Sequence, residues 1–159
     1  MKVTRLTPDA RKRVLALATE EAARRGDRRI GADHLLLGLL HEPSSVAARA
    51  LGVDLESARA ASEALDRAAL AAVGIDATLH GPGSPPIRAH RRPPFTSGAR
   101  AALQRSLHEA RSMKARSIDP RHLLLGILSR QRPDPAAELL AELGVDPADV
   151  RRRLIQQAS

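Results

Sequence analysis

The sequence contains no cysteine, tryptophan or tyrosine, and Phe95 is its only aromatic residue. Without cysteine there can be no disulfide framework and no thiolate metal site. No apolar run approaches the roughly 20 residues that span a bilayer, and the opening MKVTRLTPDARKR lacks the apolar stretch of a signal peptide. A cytoplasmic protein with no membrane association is therefore expected. Reactive constellations are missing as well. There is no Gly-x-x-x-x-Gly-Lys-Ser/Thr phosphate loop, no Gly-x-Ser-x-Gly elbow, and no His-x-x-x-His or Glu-x-x-His pair on one helix. The sequence thus predicts neither an enzyme nor a bound metal or cofactor.

What is abundant is Ala, Leu and Arg. Hydrophobic residues make up 43% of the 159 positions, and they are almost all Ala, Leu, Val and Ile. Such a composition favours packed helices, because Ala and Leu form helices well whereas sheets recruit β-branched and aromatic side chains. The length suits one compact unit built from two coupled halves. The formal net charge of +8 comes mostly from Arg, since Lys2, Lys12 and Lys114 are the only lysines. That charge permits attraction to nucleic acid or acidic proteins, and it is equally what a solvated Arg-rich surface carries.

An internal repeat organises the sequence. The segment Ile30-Gly31-Ala32-Asp33-His34-Leu35-Leu36-Leu37-Gly38-Leu39-Leu40 returns 88 positions later as Ile118-Asp119-Pro120-Arg121-His122-Leu123-Leu124-Leu125-Gly126-Ile127-Leu128. The same offset takes Leu15 to Leu103 and Glu21-Ala22 to Glu109-Ala110. Further on, Leu51-Gly52-Val53-Asp54 matches Leu143-Gly144-Val145-Asp146 at an offset of 92, so the second copy carries about four extra residues in between.

Each copy reads as four helices. In the first copy, Thr7 and Pro8 open a helix that runs to Arg25 with apolar positions at Val14, Leu15, Leu17, Ala18 and Ala22, and Gly26 ends it. A helix over Ala32 to His41 is apolar almost all round and should be the buried centre of its half. Ser44 or Ser45 caps a short helix to Leu51, and Asp54 caps a longer one to Val73. The second copy is expected to place helices over Ser97 to Lys114, Asp119 to Arg130, Asp134 to Leu143 and Asp146 to Gln157, three of them opening on Asp-Pro. Repeat one is thus read as 4–73 and repeat two as 95–157. The Pro- and Gly-rich stretch between them, 74–94, is read as an extended linker whose basic tract Arg88-Ala89-His90-Arg91-Arg92 either is simply solvated or touches nucleic acid.

Two features allow two readings each. His34 and His122 occupy equivalent positions, which suits a pseudo-symmetric metal pair or, since neither has a second ligand at metal spacing, a structural hydrogen bond to a neighbouring loop. Phe95, placed just before a helix, is either a staple packing on that helix or a partly exposed anchor beside Arg100 for a bound peptide.

The two copies of a helix ending near Glu-Ala, followed by an Ile-x-x-x-His-Leu-Leu-Leu-Gly-(Leu/Ile)-Leu helix, resemble the Clp N-terminal domain of the ClpA and ClpC unfoldases over residues 4 to 157. Phe95-Thr96 at the start of the second copy adds to the likeness. The resemblance implies an all-α fold in which two pseudo-twofold-related four-helix repeats form an eight-helix bundle. It also implies a non-catalytic module that receives substrate proteins or adaptors for an ATP-driven ring. With the ring modules missing, the protein reads as a stand-alone member that associates with a Clp unfoldase or competes with it for ligands.

In ClpC-like relatives Gly-Thr-Glu-His at the start of each buried helix helps bind phosphoarginine. Here Asp33 keeps an acid in the first copy, whereas Arg121 puts a cation in the second. A cation there would repel the guanidinium half of that ligand and attract its phosphate. ClpC-type domains also take cyclic peptide antibiotics between the first helices of the two copies. Carried over by position, this implies a groove where Phe95, Arg100 and Gln104 face Lys12 and Ala16, with Thr4 where relatives have a second aromatic. The reading from a different class, an Arg-rich nucleic-acid-binding regulator, requires affinity that falls steeply with salt.

Overall fold

Two pairs of helices come so close that their backbones touch, and the fold is arranged around those contacts. The structure, a computed structural model, describes residues 8–74 and 94–156. Among these it contains the helices α1 (Pro8–Arg24), α2 (Ala32–Leu39), α3 (Val46–Leu51), α4 (Leu55–Ala72), α5 (Ser97–Ser112), α6 (Pro120–Leu128), α7 (Pro135–Glu142) and α8 (Pro147–Gln156). A Cβ on Gly38 of α2 would lie 2.8 Å from the Val14 carbonyl oxygen of α1, and one on Gly126 of α6 would overlap the Ala102 carbonyl oxygen of α5. Only glycine permits either approach. Val14, Gly38, Ala102 and Gly126 obey the offset of 88, so the same contact is made twice.

The expected Leu-rich helices are the centre. Every residue of α2 is buried, as is α6 from His122 to Leu128. The two helices touch each other, and α1 and α5 each rest on both of them. The short third helices cross over: α3 packs on α6 and α8, and α7 packs on α2 and α4. Exchanging α1 with α5, α2 with α6, α3 with α7 and α4 with α8 therefore preserves these contacts, which is the pseudo-twofold arrangement expected. Leu35, Leu36, Leu37, Leu123, Leu124, Leu125 and Ile127 are all at most 1% exposed, and each such burial contributes roughly 1.5–3 kcal/mol. Ala18, Ala22, Ala99 and Ala102 fill the narrow space against them, which is how a core without aromatics stays close-packed.

The helix starts follow the predicted caps. Ser45 rather than Ser44 accepts from the Ala48 N–H at 3.1 Å, Asp54 accepts from Ser57 at 2.7 Å, and Asp119, Asp134 and Asp146 each accept a first-turn N–H at 2.8–3.0 Å. Several C-terminal ends fall short of expectation: α2 stops at Leu39, α5 at Ser112 and α6 at Leu128, where the last turns loosen into hydrogen-bonded turns. Gln157, the Thr7 cap and nearly all of the linker lie outside the described residues. No helix among the described residues is long and apolar enough to cross a membrane.

Both repeat-related histidines close a helix start. His34 Nδ1 accepts the Gly31 N–H at 2.9 Å and His122 Nδ1 accepts the Asp119 N–H at 3.0 Å. This is the loop-binding role, and it leaves the proton on Nε2 in each ring. Ion pairs on buried glutamates also repeat. Glu21, 2% exposed, accepts from Arg59 Nε at 3.1 Å, and its equivalent Glu109 accepts from Arg151 at 3.2 Å, tying the first helix of each copy to its fourth.

Two consequences can be measured. Replacing Gly126 with Ala forces α5 and α6 apart and should destabilise the protein by about 1–3 kcal/mol in denaturant unfolding, with Gly38→Ala milder because its nearest contact is looser. Acid should weaken the fold earlier than carboxylates alone would make it. Burial pushes the His122 pKa down from 6.5, an effect Arg121 adds to and Asp119 and Glu109 oppose without reversing. The unfolded protein therefore takes up that proton first, so stability present above the ordinary His value drains away as the pH falls below about 6.5. Thermal midpoints recorded against pH should show this decline, and His122→Asn should flatten it.

Candidate functional site

Where α1 ends and α2 begins, the backbone turns back over Arg25 to Gly31, and α4 and α7 close over the turn. Together they enclose a cleft of about 780 Å³. Its chemistry centres on Arg25, only 15% exposed. The guanidinium donates to Asp33 at 3.0 Å, to Ser62 at 2.7 Å and to Asp66 at 2.6 and 3.1 Å, and Asp27 lies 3.3 Å from its Nε. Burial disfavours the charge of Arg25, but Asp27, Asp33 and Asp66 more than offset it and raise the pKa above its ordinary value. Asp27 feels the reverse balance: burial would raise its pKa, while the hydrogen bond from His34 at 2.7 Å and the charge of Arg25 hold it low.

Asp33, the acid expected to face an external guanidinium, thus already faces one from within the same molecule. Arg121 is not part of this cleft; it stands at the corresponding point of α6, half-buried, with one guanidinium nitrogen 3.6 Å from Asp119. Thr96 joins the cleft wall and caps α5 by accepting the Ala99 N–H at 3.1 Å.

The residues that the resemblance assigns to a peptide groove lie on α1 and α5. Lys12 and Ala16, four residues apart, are exposed along α1, and Arg100 and Gln104 are exposed with the same spacing along α5. The side chains of Lys12, Arg100 and Gln104 make no hydrogen bond or ion pair with the other described residues, so their polar ends are not spent on the fold. Phe95 is half-buried and packs on the core. Its backbone forms a parallel bridge with Ile30, whose N–H donates to the Pro94 carbonyl and whose carbonyl accepts the Thr96 N–H at 3.0 Å. Phe95 is thus part core and part surface. Thr4 and the basic tract Arg88 to Arg92 lie outside the described residues.

Sequence reasoning missed Arg25, Asp27, Ser62 and Asp66. A comparison of the copies held a signal for two of them: at the offset of 88, Arg25 and Asp27 correspond to Met113 and Ala115, so both are peculiar to the first copy. Removing the guanidinium should expose its structural weight. Arg25→Met strands Asp33 beside Asp27 and Asp66 and should cost about 2 kcal/mol in urea unfolding, below the figure for a fully buried pair because Asp66 is half exposed. Adding Asp33→Asn to it should restore part of the loss.

Comparisons with known proteins agree with this architecture. The family model described as "Clp repeat (R) N-terminal domain" matches residues 4–78 and 94–159. Over 147 residues, 91% of its length, the chain is 35% identical to the chloroplastic ClpA homolog, an ATP-dependent Clp protease ATP-binding subunit, of Brassica napus. It is equally similar to the chloroplastic chaperone protein ClpC1 of Arabidopsis thaliana, 35% over the same 91%. The chain spans about 15% of the length of these relatives. Among solved structures it is similar to the N-terminal domain of the chaperone ClpD from Arabidopsis thaliana, with a TM-score of 0.69 at 20% identity, covering 99% of this protein and 96% of that one. It also resembles the Hsp104 N-terminal domain of Candida albicans, with a TM-score of 0.62 at 16% identity over 94% and 89% of the two proteins. With its doubled Leu-Leu-Leu-Gly helix, its crossed third helices and a family match over both copies, the chain belongs to the Clp repeat (R) N-terminal domain family.

Proposed function

We propose that this domain is a docking module that receives peptide segments of substrate or adaptor proteins for a Clp-type unfoldase and performs no chemistry of its own. The observation that carries the reading is the exposure of the expected residues on α1 and α5. Two helices resting on the same buried pair present Lys12, Ala16, Arg100 and Gln104 to solvent, with Phe95 half-exposed at one end. An aromatic edge flanked by unspent cationic and amide side chains suits a peptide, because the ring supplies buried area and the polar groups find backbone carbonyls. A cyclic peptide, whose ordering cost is already met, is the ligand form best suited to a shallow face.

The phosphoarginine reading has less support. At Asp33 such a ligand would have to displace Arg25, and at Arg121 its guanidinium would meet a like charge. The α1/α5 face is accordingly the first surface to test.

Titration of the full-length protein with a Clp adaptor protein and a ClpC-binding cyclic peptide should give saturable binding. Phe95→Ala and Arg100→Ala should each weaken it about tenfold, the effect of losing one central contact. Arg121→Ala should leave it unchanged. An absence of binding to either ligand, or binding indifferent to Phe95, would overturn the reading.

A further inference from the structure

The stretches before α2 and α6 share one backbone but not one set of partners. Gly26 and Lys114 both have positive φ, 74° and 55°. The next residues, Asp27 and Ala115, each donate a backbone hydrogen bond of 2.9 Å, to Ala22 and Ala110. His34 and His122 then accept the backbone N–H three residues before them at 2.9 and 3.0 Å. Asp27 and Ala115 are therefore equivalent in space as well as in sequence.

Their chemistry differs. In the first copy the His34 Nε2–H donates to the Asp27 carboxylate at 2.7 Å. In the second, Ala115 offers a methyl group at that place, and His122 Nε2 has no partner although its side chain is 0% exposed. Because Nδ1 accepts the Asp119 N–H, the proton sits on Nε2, so the orphan is a donor. The Nε of Arg121, next in sequence, is also buried and unpartnered, and these two are the only such side-chain atoms among the described residues. An unmet buried donor costs about 1–3 kcal/mol, and an acceptor reaching His122 Nε2 would remove that cost.

The surrounding charge selects that acceptor. Met113 stands where the first copy has Arg25, and Arg121 stands where it has Asp33, so the cation has moved onto α6. Asp119 is engaged by the first-turn N–H groups of α6 at 2.8 and 3.3 Å, and Glu109 by Arg105 and Arg151. Neither carboxylate reaches His122 Nε2 within hydrogen-bond distance.

We propose that the second copy binds an external carboxylate at the place the Asp27 side chain fills in the first copy, with His122 Nε2 donating to it and Arg121 supplying the positive charge. The difference between Ala and Asp is one carboxylate group, so the proposed ligand is an acetate-sized anion, carried by a protein partner on an acidic residue or at its free carboxyl terminus. Because His122 is fully buried, the neighbouring side chains must move aside to admit it. The inference does not rest on the docking face, and failure of one leaves the other standing.

Long-range proton–nitrogen NMR of the imidazoles in the full-length protein tests it. Acetate should shift the His122 Nε2 signal saturably while His34, already paired with Asp27, stays still. Arg121→Met should weaken the titration at least tenfold. Ala115→Asp should abolish it and raise the thermal midpoint, by supplying the missing carboxylate from within. N-acetylglycine carries only a terminal carboxylate, whereas N-acetylglutamate with an amidated C-terminus carries only a side-chain one. Whichever shifts His122 at the lower concentration identifies the source. No saturable shift with any carboxylate, as expected if a water fills the place, would overturn the proposal. So would a response to inorganic phosphate alone, or an unchanged titration in Ala115→Asp. Should Ala115→Asp fail to fold, the comparison of the wild-type protein with Arg121→Met decides.

Discussion

The contact of Gly38 with the Val14 carbonyl, and of Gly126 with that of Ala102, sets the distance on which everything else in this domain depends. With no side chain between them, α1 lies directly on α2 and α5 on α6. The leucines of the central helices are then free to turn toward one another and toward the crossing third helices. The same closeness brings the end of α1 over the start of α2. That is why Arg25, eight residues before Asp33, can reach its carboxylate while still bonded to Ser62 and Asp66 of α4. The helical packing and the polar cluster are thus one arrangement seen at two depths.

Much of this is legible in the sequence because it is written twice. The offset of 88 shows which glycine, histidine and leucines belong together, and Asp-Pro marks helix starts that the structure places at Pro120, Pro135 and Pro147. The buried character of α2 follows from its unbroken apolar run. What the sequence does not show is pairing at long range. Glu21 with Arg59 and Glu109 with Arg151 become visible only when the offset of 88 is combined with that of 92. Arg25 with Asp66 has no counterpart in the second copy at all. Ion pairs follow from how helices cross, so the pattern along a single helix does not reveal them. The proposed α1/α5 groove rests on resemblance alone, since exposed Lys12, Ala16, Arg100 and Gln104 have no distinctive local signature.

Duplication has left two copies of one scaffold with opposite polar economies. The first copy satisfies itself: three carboxylates and a serine enclose one guanidinium, and His34 is paired through both ring nitrogens. The second has Ala115 and Met113 where the first has Asp27 and Arg25, carries Arg121 where the first has Asp33, and holds donors without acceptors. Because the backbones agree where α2 and α6 begin, the difference there lies in a handful of side chains. A symmetric framework can hold asymmetric chemistry in this way, since the glycine contacts and leucine core carry the architecture and leave the helix starts free to vary.

The bridge between Ile30 and Phe95 bears on what counts as a unit here. The lead-in to α5 hydrogen-bonds to the lead-in to α2, α7 lies against α4, and Arg153 of α8 donates to the Ala50 carbonyl at the end of α3 at 2.7 Å. Each copy is therefore completed by the other, as the subunits of an intertwined homodimer would be. Severing the polypeptide between the copies would give two half-built partners with bare leucine faces, obliged to find each other again before either could fold.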